Sequence, residues 1–284
     1  MRRIELGISA RSVGTLLREA SMKSGKVIPI TRNWRSWISA SGLGMFLVIG
    51  LLFSGAHGAR RKPARVPVAT GSIVGTVTLI GRAPAPQPIN MSFDPVCASA
   101  HKKPVDTQEV QVGPNGALEN VVVFLNAGLA HDKFAPPSRP AVLDQRGCMF
   151  EPHVLAVMAY QKVQILNSDK TPHGVHVLAR NNEQWNRFQP AGAAPIVTSF
   201  SHPEVAIPVD CSWHPFHFWM KAYIAVLSNP YFQVTSQDGR FSLKGLPQGT
   251  YTIEAWQEKY GILKKQVTVR PGQTTTLDFV FKAD

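Results

Sequence analysis

Acidic residues are scarce in this chain. Eighteen Asp and Glu stand against 30 Lys and Arg, and charged residues make up only 17% of the 284 positions. With 44% hydrophobic residues the chain can bury a sizeable core, which excludes general disorder. The basic excess is not a nucleic-acid footprint, because residues 1–60 carry nine of the Lys and Arg against two Asp and Glu. The remainder is mildly basic and has no basic stripe interleaved with aromatics, so no nucleic-acid partner is expected, only a weak preference for acidic surfaces. Catalytic signatures are also missing. There is no Gly-x-Ser-x-Gly elbow, no phosphate-binding glycine loop and no carboxylate pair at acid/base spacing, so an enzyme is not expected. No long amphipathic helix follows residue 60.

One apolar run stands out, Leu43 to Phe53, preceded by Arg32 and Arg35 and followed by Ala56-His-Gly58. Basic region, short apolar core and small-x-small cleavage site are the parts of a secretory signal, with an uncleaved membrane anchor as the rival reading. Residues 1–59 are therefore expected to be a leader, with Met22 as an alternative start, and the body to be periplasmic or otherwise extracytoplasmic. Membrane contact is expected only through that N-terminal segment.

Twenty-two Gly, 22 Pro and many short Val/Ile/Thr/Phe runs predict an all-β body after a basic, Pro-containing linker at 60–70. In the tail, Thr235-x-x-Asp238-Gly239-x-Phe241-x-Leu243 is followed by Leu246-Pro247-x-Gly249-x-Tyr251-x-Ile253 and a Pro271-Gly272 turn, the chemistry of a strand meander. These residues resemble the carboxypeptidase regulatory-like, or transthyretin-like, family. Its opening Gly-x-Ile-x-Gly-x-Val strand is matched by Gly71-Ser-Ile73-Val-Gly75-Thr-Val77. The resemblance implies a small prealbumin-like β-sandwich, discontinuous over 71–118 and 230–284, with no chemistry of its own.

Chemistry is expected between those pieces. Thr171-Pro-His173-Gly-Val-His176 and Cys211-Ser-Trp-His214, with Met220 beyond, offer a thiol, imidazoles and a thioether at spacings that can meet around one metal ion. Soft sulfur with imidazole is what copper selects, and zinc is the competitor. Pro172-His173-x-Val175 and Cys211-x-x-His214 resemble the ligand motifs of the cupredoxins of the plastocyanin and azurin type. That resemblance implies a Greek-key β-sandwich over 119–229, with His173, Cys211 and His214 equatorial and Met220 axial.

Two positions depart from that pattern. The Asn that follows the first His in the family is Gly174 here, so the brace it supplies must come from elsewhere. Five residues separate His214 from Met220 and include His217, so either the loop bulges or His217 is the ligand and Met220 is core. His176, three residues along a strand from His173, faces the opposite way; it is an outer-face residue or a second metal contact.

Cysteine is the remaining scarcity, with only three in the chain. If Cys211 binds metal, Cys97 and Cys148 are free to form the disulfide that suits an oxidising compartment. A His follows each by four or five residues, so Cys97, His101, Cys148 and His153 form a second candidate metal site. Trp213, Phe216, Phe218 and Trp219 around the ligand loop read as packing that excludes water, or as a docking patch. The resulting expectation is an exported copper protein performing one-electron transfer with a redox partner, such as a cytochrome or a membrane-bound electron-transfer complex. Copper or zinc storage and delivery, and a metal-free binding or assembly module, are the alternatives.

Overall fold

The computed structural model describes residues 69–130, 133–213 and 215–283. The leader, most of the linker and His214 lie outside the described residues. Among those described, the chain is all-β, and no helix is long and apolar enough to cross a membrane.

One sandwich is assembled from both ends of the described chain. Thr70–Ile80 buries Ile73, Val77 and Leu79 on one face and pairs antiparallel with Arg240–Pro247. It also runs parallel to Thr274–Thr276 and Phe279–Lys282. Gly75 permits that parallel approach, since a Cβ there would stand 1.9 Å from the carbonyl oxygen of Leu277. The facing sheet runs in the order Phe232–Val234, Val122–Ala127, Gly249–Gln257, Gly261–Val269. Between the two sheets lie Leu118, Phe241, Leu243, Ile253, Phe279 and Phe281.

Two expectations need correction here. The tail is not a meander, because chain passing the Asp238-Gly239 and Pro271-Gly272 turns changes sheet each time; only Gly249–Gln257 and Gly261–Val269 form a hairpin. Turn residues specify a tight reversal, whereas the destination sheet is set by burial of both strand faces. The module boundaries also differ from 71–118 and 119–229. Val122–Ala127 belongs to this sandwich, while Met91 and Cys97 pack in the core of the other module.

That other module is inserted between Val122–Ala127 and Phe232–Val234, which are hydrogen-bonded neighbours. One sheet has the order Val154–Met158, Lys221–Leu227, Glu204–Cys211, His173–Val177, Trp185–Gln189. The other runs Met149–Glu151, Ala141–Arg146, Val163–Asn167, Ile196–Thr198. Leu143, Phe150, Ile165, Ile207, Met220 and Ile224 are buried in its core. A third apolar cluster, with Val122, Phe124 and Trp256 from one sandwich and Val154, Ala225 and Leu227 from the other, joins the two modules.

Glu204 anchors the 180–182 loop to the start of the Glu204–Cys211 strand by accepting from the backbone N–H groups of Arg180 (2.6 Å) and Asn181 (2.9 Å) and from Asn182 Nδ2 (3.0 Å). Burial pushes its pKa up, but these hydrogen bonds outweigh burial and hold it below the ordinary value. The stabilisation is therefore complete above the unfolded-state pKa of about 4.3 and is lost as pH falls through the lower folded value. In thermal unfolding followed against pH, E204Q is expected to be less stable than the parent at neutral pH and to show a shallower loss in acid.

Candidate metal centre

Cys211 ends the Glu204–Cys211 strand and lies opposite Val175, so its side chain meets the start of the neighbouring His173–Val177 strand. The following loop coils back on itself: Trp213 carbonyl oxygen accepts from the N–H of Phe216 and of His217, and His217 carbonyl oxygen accepts from Met220 N–H. This delivers His217 to the same point. Cys211 Sγ lies 3.9 Å from His173 Nδ1 and 3.8 Å from His217 Nδ1, and the two nitrogens are 3.0 Å apart. All three residues are fully buried.

The outer nitrogens fix what the inner ones present. His173 Nε2 is 2.9 Å from Asp169 Oδ2, and His217 Nε2 is 3.0 Å from Asp94 Oδ2. A carboxylate only accepts, so each Nε2 carries the hydrogen and each Nδ1 is left as a lone pair. Two nitrogen lone pairs and the Cys211 thiol thus converge with only the weak S–H donor between them, an arrangement in which a metal ion can take the place of the thiol proton. A metal about 2.0–2.1 Å from nitrogen and about 2.3 Å from sulfur at trigonal angles sets nitrogen and sulfur about 3.8 Å apart, which the two sulfur distances match, and the two nitrogens about 3.6 Å apart, which is wider than the 3.0 Å between them here. The donors fit a soft or borderline ion.

Both carboxylates are held in turn. Asp169 accepts from the N–H groups of Gly147 (2.6 Å) and Cys148 (2.8 Å). Burial raises its pKa, yet the bonds from His173, Cys148 and Gly147 leave it below the ordinary value. Asp94 caps the short helix Pro95–Ala100 through Val96 N–H and accepts from the Thr171 hydroxyl at 2.7 Å. Its pKa is likewise lowered, burial being outweighed by Thr171, His217 and the helix N–H groups. Burial pushes the Cys211 thiol up, opposed by the N–H groups of Gly174 and Trp213, and burial lowers the pKa of His217 against the pull of Asp94. A neutral imidazole is what a metal requires. D169N is expected to weaken uptake of a metal ion by this cluster about 10–100-fold, because the amide cannot both accept from Gly147 and Cys148 and hold the His173 tautomer; a metal titration checks this.

Met220 is fully buried in the core that contains Cys211, and its carbonyl oxygen accepts from Cys211 N–H. His176 points away, as three residues along a strand require, and faces Asp210 at 3.1 Å. Cys97 and Cys148 form a disulfide, so the second metal site is corrected: His101 bonds the carbonyl oxygen of Gly147 and His153 pairs with Glu258, each drawn off by a nearer partner. The disulfide instead backs the first cluster, with Cys97 Sγ 3.2 Å from His217 Nε2.

The brace absent at Gly174 is replaced by other means. Gly174 N–H lies 3.4 Å from Cys211 Sγ, its carbonyl oxygen accepts from Ser212 N–H, and the Ser212 hydroxyl donates to Asn186 Oδ1 at 2.7 Å. A Cβ at Gly174 would stand 2.2 Å from Ser212 Oγ. G174A is therefore expected to destabilise by about 1–3 kcal/mol, with partial recovery in G174A/S212A, as read by thermal unfolding.

Sequence comparison adds one assignment. Residues 222–282 match the carboxypeptidase regulatory-like domain. The match to the regulatory-like domain begins in the Lys221–Leu227 strand of the metal module and runs through the tail sandwich. No curated protein matches the sequence. Similar solved structures are a Cu-containing nitrite reductase (NirK) from Thermus scotoductus SA-01, a novel purple cupredoxin from Nitrosopumilus maritimus and reduced amicyanin. The first is 20% identical, covers 36% of this chain and 26% of its own, at a TM-score of 0.29. For the purple cupredoxin the values are 19%, 30%, 98% and 0.25, and for amicyanin 17%, 36%, 99% and 0.27. The chain thus spans about a quarter of the nitrite reductase.

Neither Asp94 nor Asp169 was expected at the site. Asp94 caps the Pro95–Ala100 helix, and its reach to His217 is set by the tertiary fold.

Proposed function

We propose that this chain is an exported copper protein that carries single electrons, with His173, Cys211 and His217 holding one ion. The observation that carries the reading is the convergence of two Nδ1 lone pairs and Sγ, with both tautomers set by carboxylates. Copper in such a site supplies a Cu(I)/Cu(II) couple. The chain's part is to hold the imidazoles by Asp94 and Asp169, to aim Gly174 N–H at the sulfur and to exclude water. Met220 is buried in the adjoining core, as expected if His217 is the ligand. The Cys97–Cys148 disulfide supports an oxidising, extracytoplasmic location.

A redox partner would dock on the aromatic surface around the loop, where Phe93, Phe188, Phe216 and Phe218 are all exposed. Zinc fits the same three donors, and the spectrum separates the metals. Protein purified from the export compartment is expected to hold one copper per chain and to show an intense visible charge-transfer band. Colourless protein holding zinc would overturn the copper reading, and protein that takes up neither metal would overturn the site.

A further inference from the structure

Away from the cluster, a cavity of about 390 Å³ opens where the 87–109 segment meets both sandwiches, a setting and a size that small-molecule sites favour. Phe218, Trp219 and Tyr223 give it aromatic walls, with Ile89 and Met149 beside them. Its polar side holds a group that the metal centre does not use. His153 Nδ1 is 3.1 Å from the carbonyl oxygen of Lys221 and so carries a hydrogen. His153 Nε2 then lies 2.9 Å from Glu258 Oε1, with both side chains more than nine-tenths buried, a contact that holds only with a proton between them. Tyr223 also bonds Glu258, and its pKa is pushed up to about 12 by burial and by that carboxylate.

The charge pattern narrows the ligand. Glu258 shares its charge with the His153 proton, and Glu109 on the rim is paired with Lys259 at 3.0 Å, so an organic cation would find no free anion. With both glutamates paired, the remaining charged group of the lining is the exposed Lys221, and a neutral ligand leaves the buried His153–Glu258 pair undisturbed. Among the lining residues, Gln108 has its Oε1 buried without a hydrogen-bond partner, which costs about 1–3 kcal/mol. A ligand that fits has a flat apolar body for the aromatic walls and hydroxyl hydrogens to donate.

The geometry points to this cavity as a binding site for a small neutral hydroxylated aromatic, of the phenol or dihydroxybenzene class. The site lies one side chain from the cluster, because Trp219 lines the cavity and its ring is 5.6 Å from that of His217.

Calorimetric titration of the full chain with 1,4-dihydroxybenzene, both as purified and after removal of metal, tests the assignment, with tryptophan fluorescence as a second signal. Saturable binding of one molecule per chain is expected in both forms, so it stands or falls apart from the copper reading. E258Q and F218A are each expected to weaken it at least tenfold, about 1.4 kcal/mol. Phe218 is 52% exposed, so F218A keeps the core intact and decides the matter if E258Q fails to fold. Cyclohexane-1,4-diol, with the same hydroxyls and no aromatic ring, is expected not to bind. Absence of saturable binding at millimolar 1,4-dihydroxybenzene, unchanged affinity in F218A, or equal affinity for the cyclohexanediol would overturn the proposal.

Discussion

C211S is expected to abolish the visible band and to weaken copper binding by more than about a hundredfold, beyond the range for loss of an outer-sphere partner. A serine hydroxyl does not ionise at neutral pH, and its oxygen is a hard donor where copper selects soft sulfur. Two imidazoles then remain as ligands. Folding should change little, because the buried hydroxyl is close in size to the thiol and lies near the N–H of Gly174, 3.4 Å from Sγ in the parent. Metal analysis after dialysis, the visible spectrum and thermal unfolding together separate loss of the ligand from loss of the fold. A C211S protein that retains stoichiometric copper and its colour would show that the sulfur is not a ligand.

The second large effect is expected on stability. Cys97 and Cys148 are 51 residues apart in sequence, and closing such a loop lowers the entropy of the unfolded chain by about 4 kcal/mol in free-energy terms. Removing the bridge in C97A/C148A should lower the melting temperature by about 8–16 °C for a folded body of this size. Metal affinity should fall as well, by about 10–100-fold, for a geometric reason. Cys97 lies in the helix that Asp94 caps, and Cys148 N–H is one of the two donors holding Asp169, so the bridge ties together the supports of both imidazoles. Scanning calorimetry and a copper titration on the same sample check both. An unchanged melting temperature would mean that the bridge does not restrict the unfolded chain as loop closure requires.

The sequence was informative where chemistry is local. Cys211, His173 and the strand approaching each could be placed because alternation and turn residues act over a few positions, and the outward direction of His176 followed from strand parity alone. His217 could be named only as an alternative, since its position depends on how the loop coils through the Trp213 carbonyl. Asp94 and Asp169 were not anticipated because their roles are non-local: Asp94 is 123 residues from the imidazole it holds. The sheet exchange in the tail escaped for the same reason, as Asp-Gly and Pro-Gly specify a reversal and not the sheet that receives the next strand. Val122–Ala127 fitted either module by its apolar run, and only its pairing with Gly249–Gln257 decides.

The inserted sandwich leaves its host and returns to it through two adjacent strands, Val122–Ala127 and Phe232–Val234, whose backbones in any paired ribbon lie about 5 Å apart. A gap that narrow can be spanned by a short hairpin turn. The insertion is nonetheless laced to the chain that precedes it, because Met91, Asp94 and Cys97 reach into it from before Val122; moving it to another scaffold would mean carrying that segment along and supplying an apolar face to cover Val154, Ala225 and Leu227.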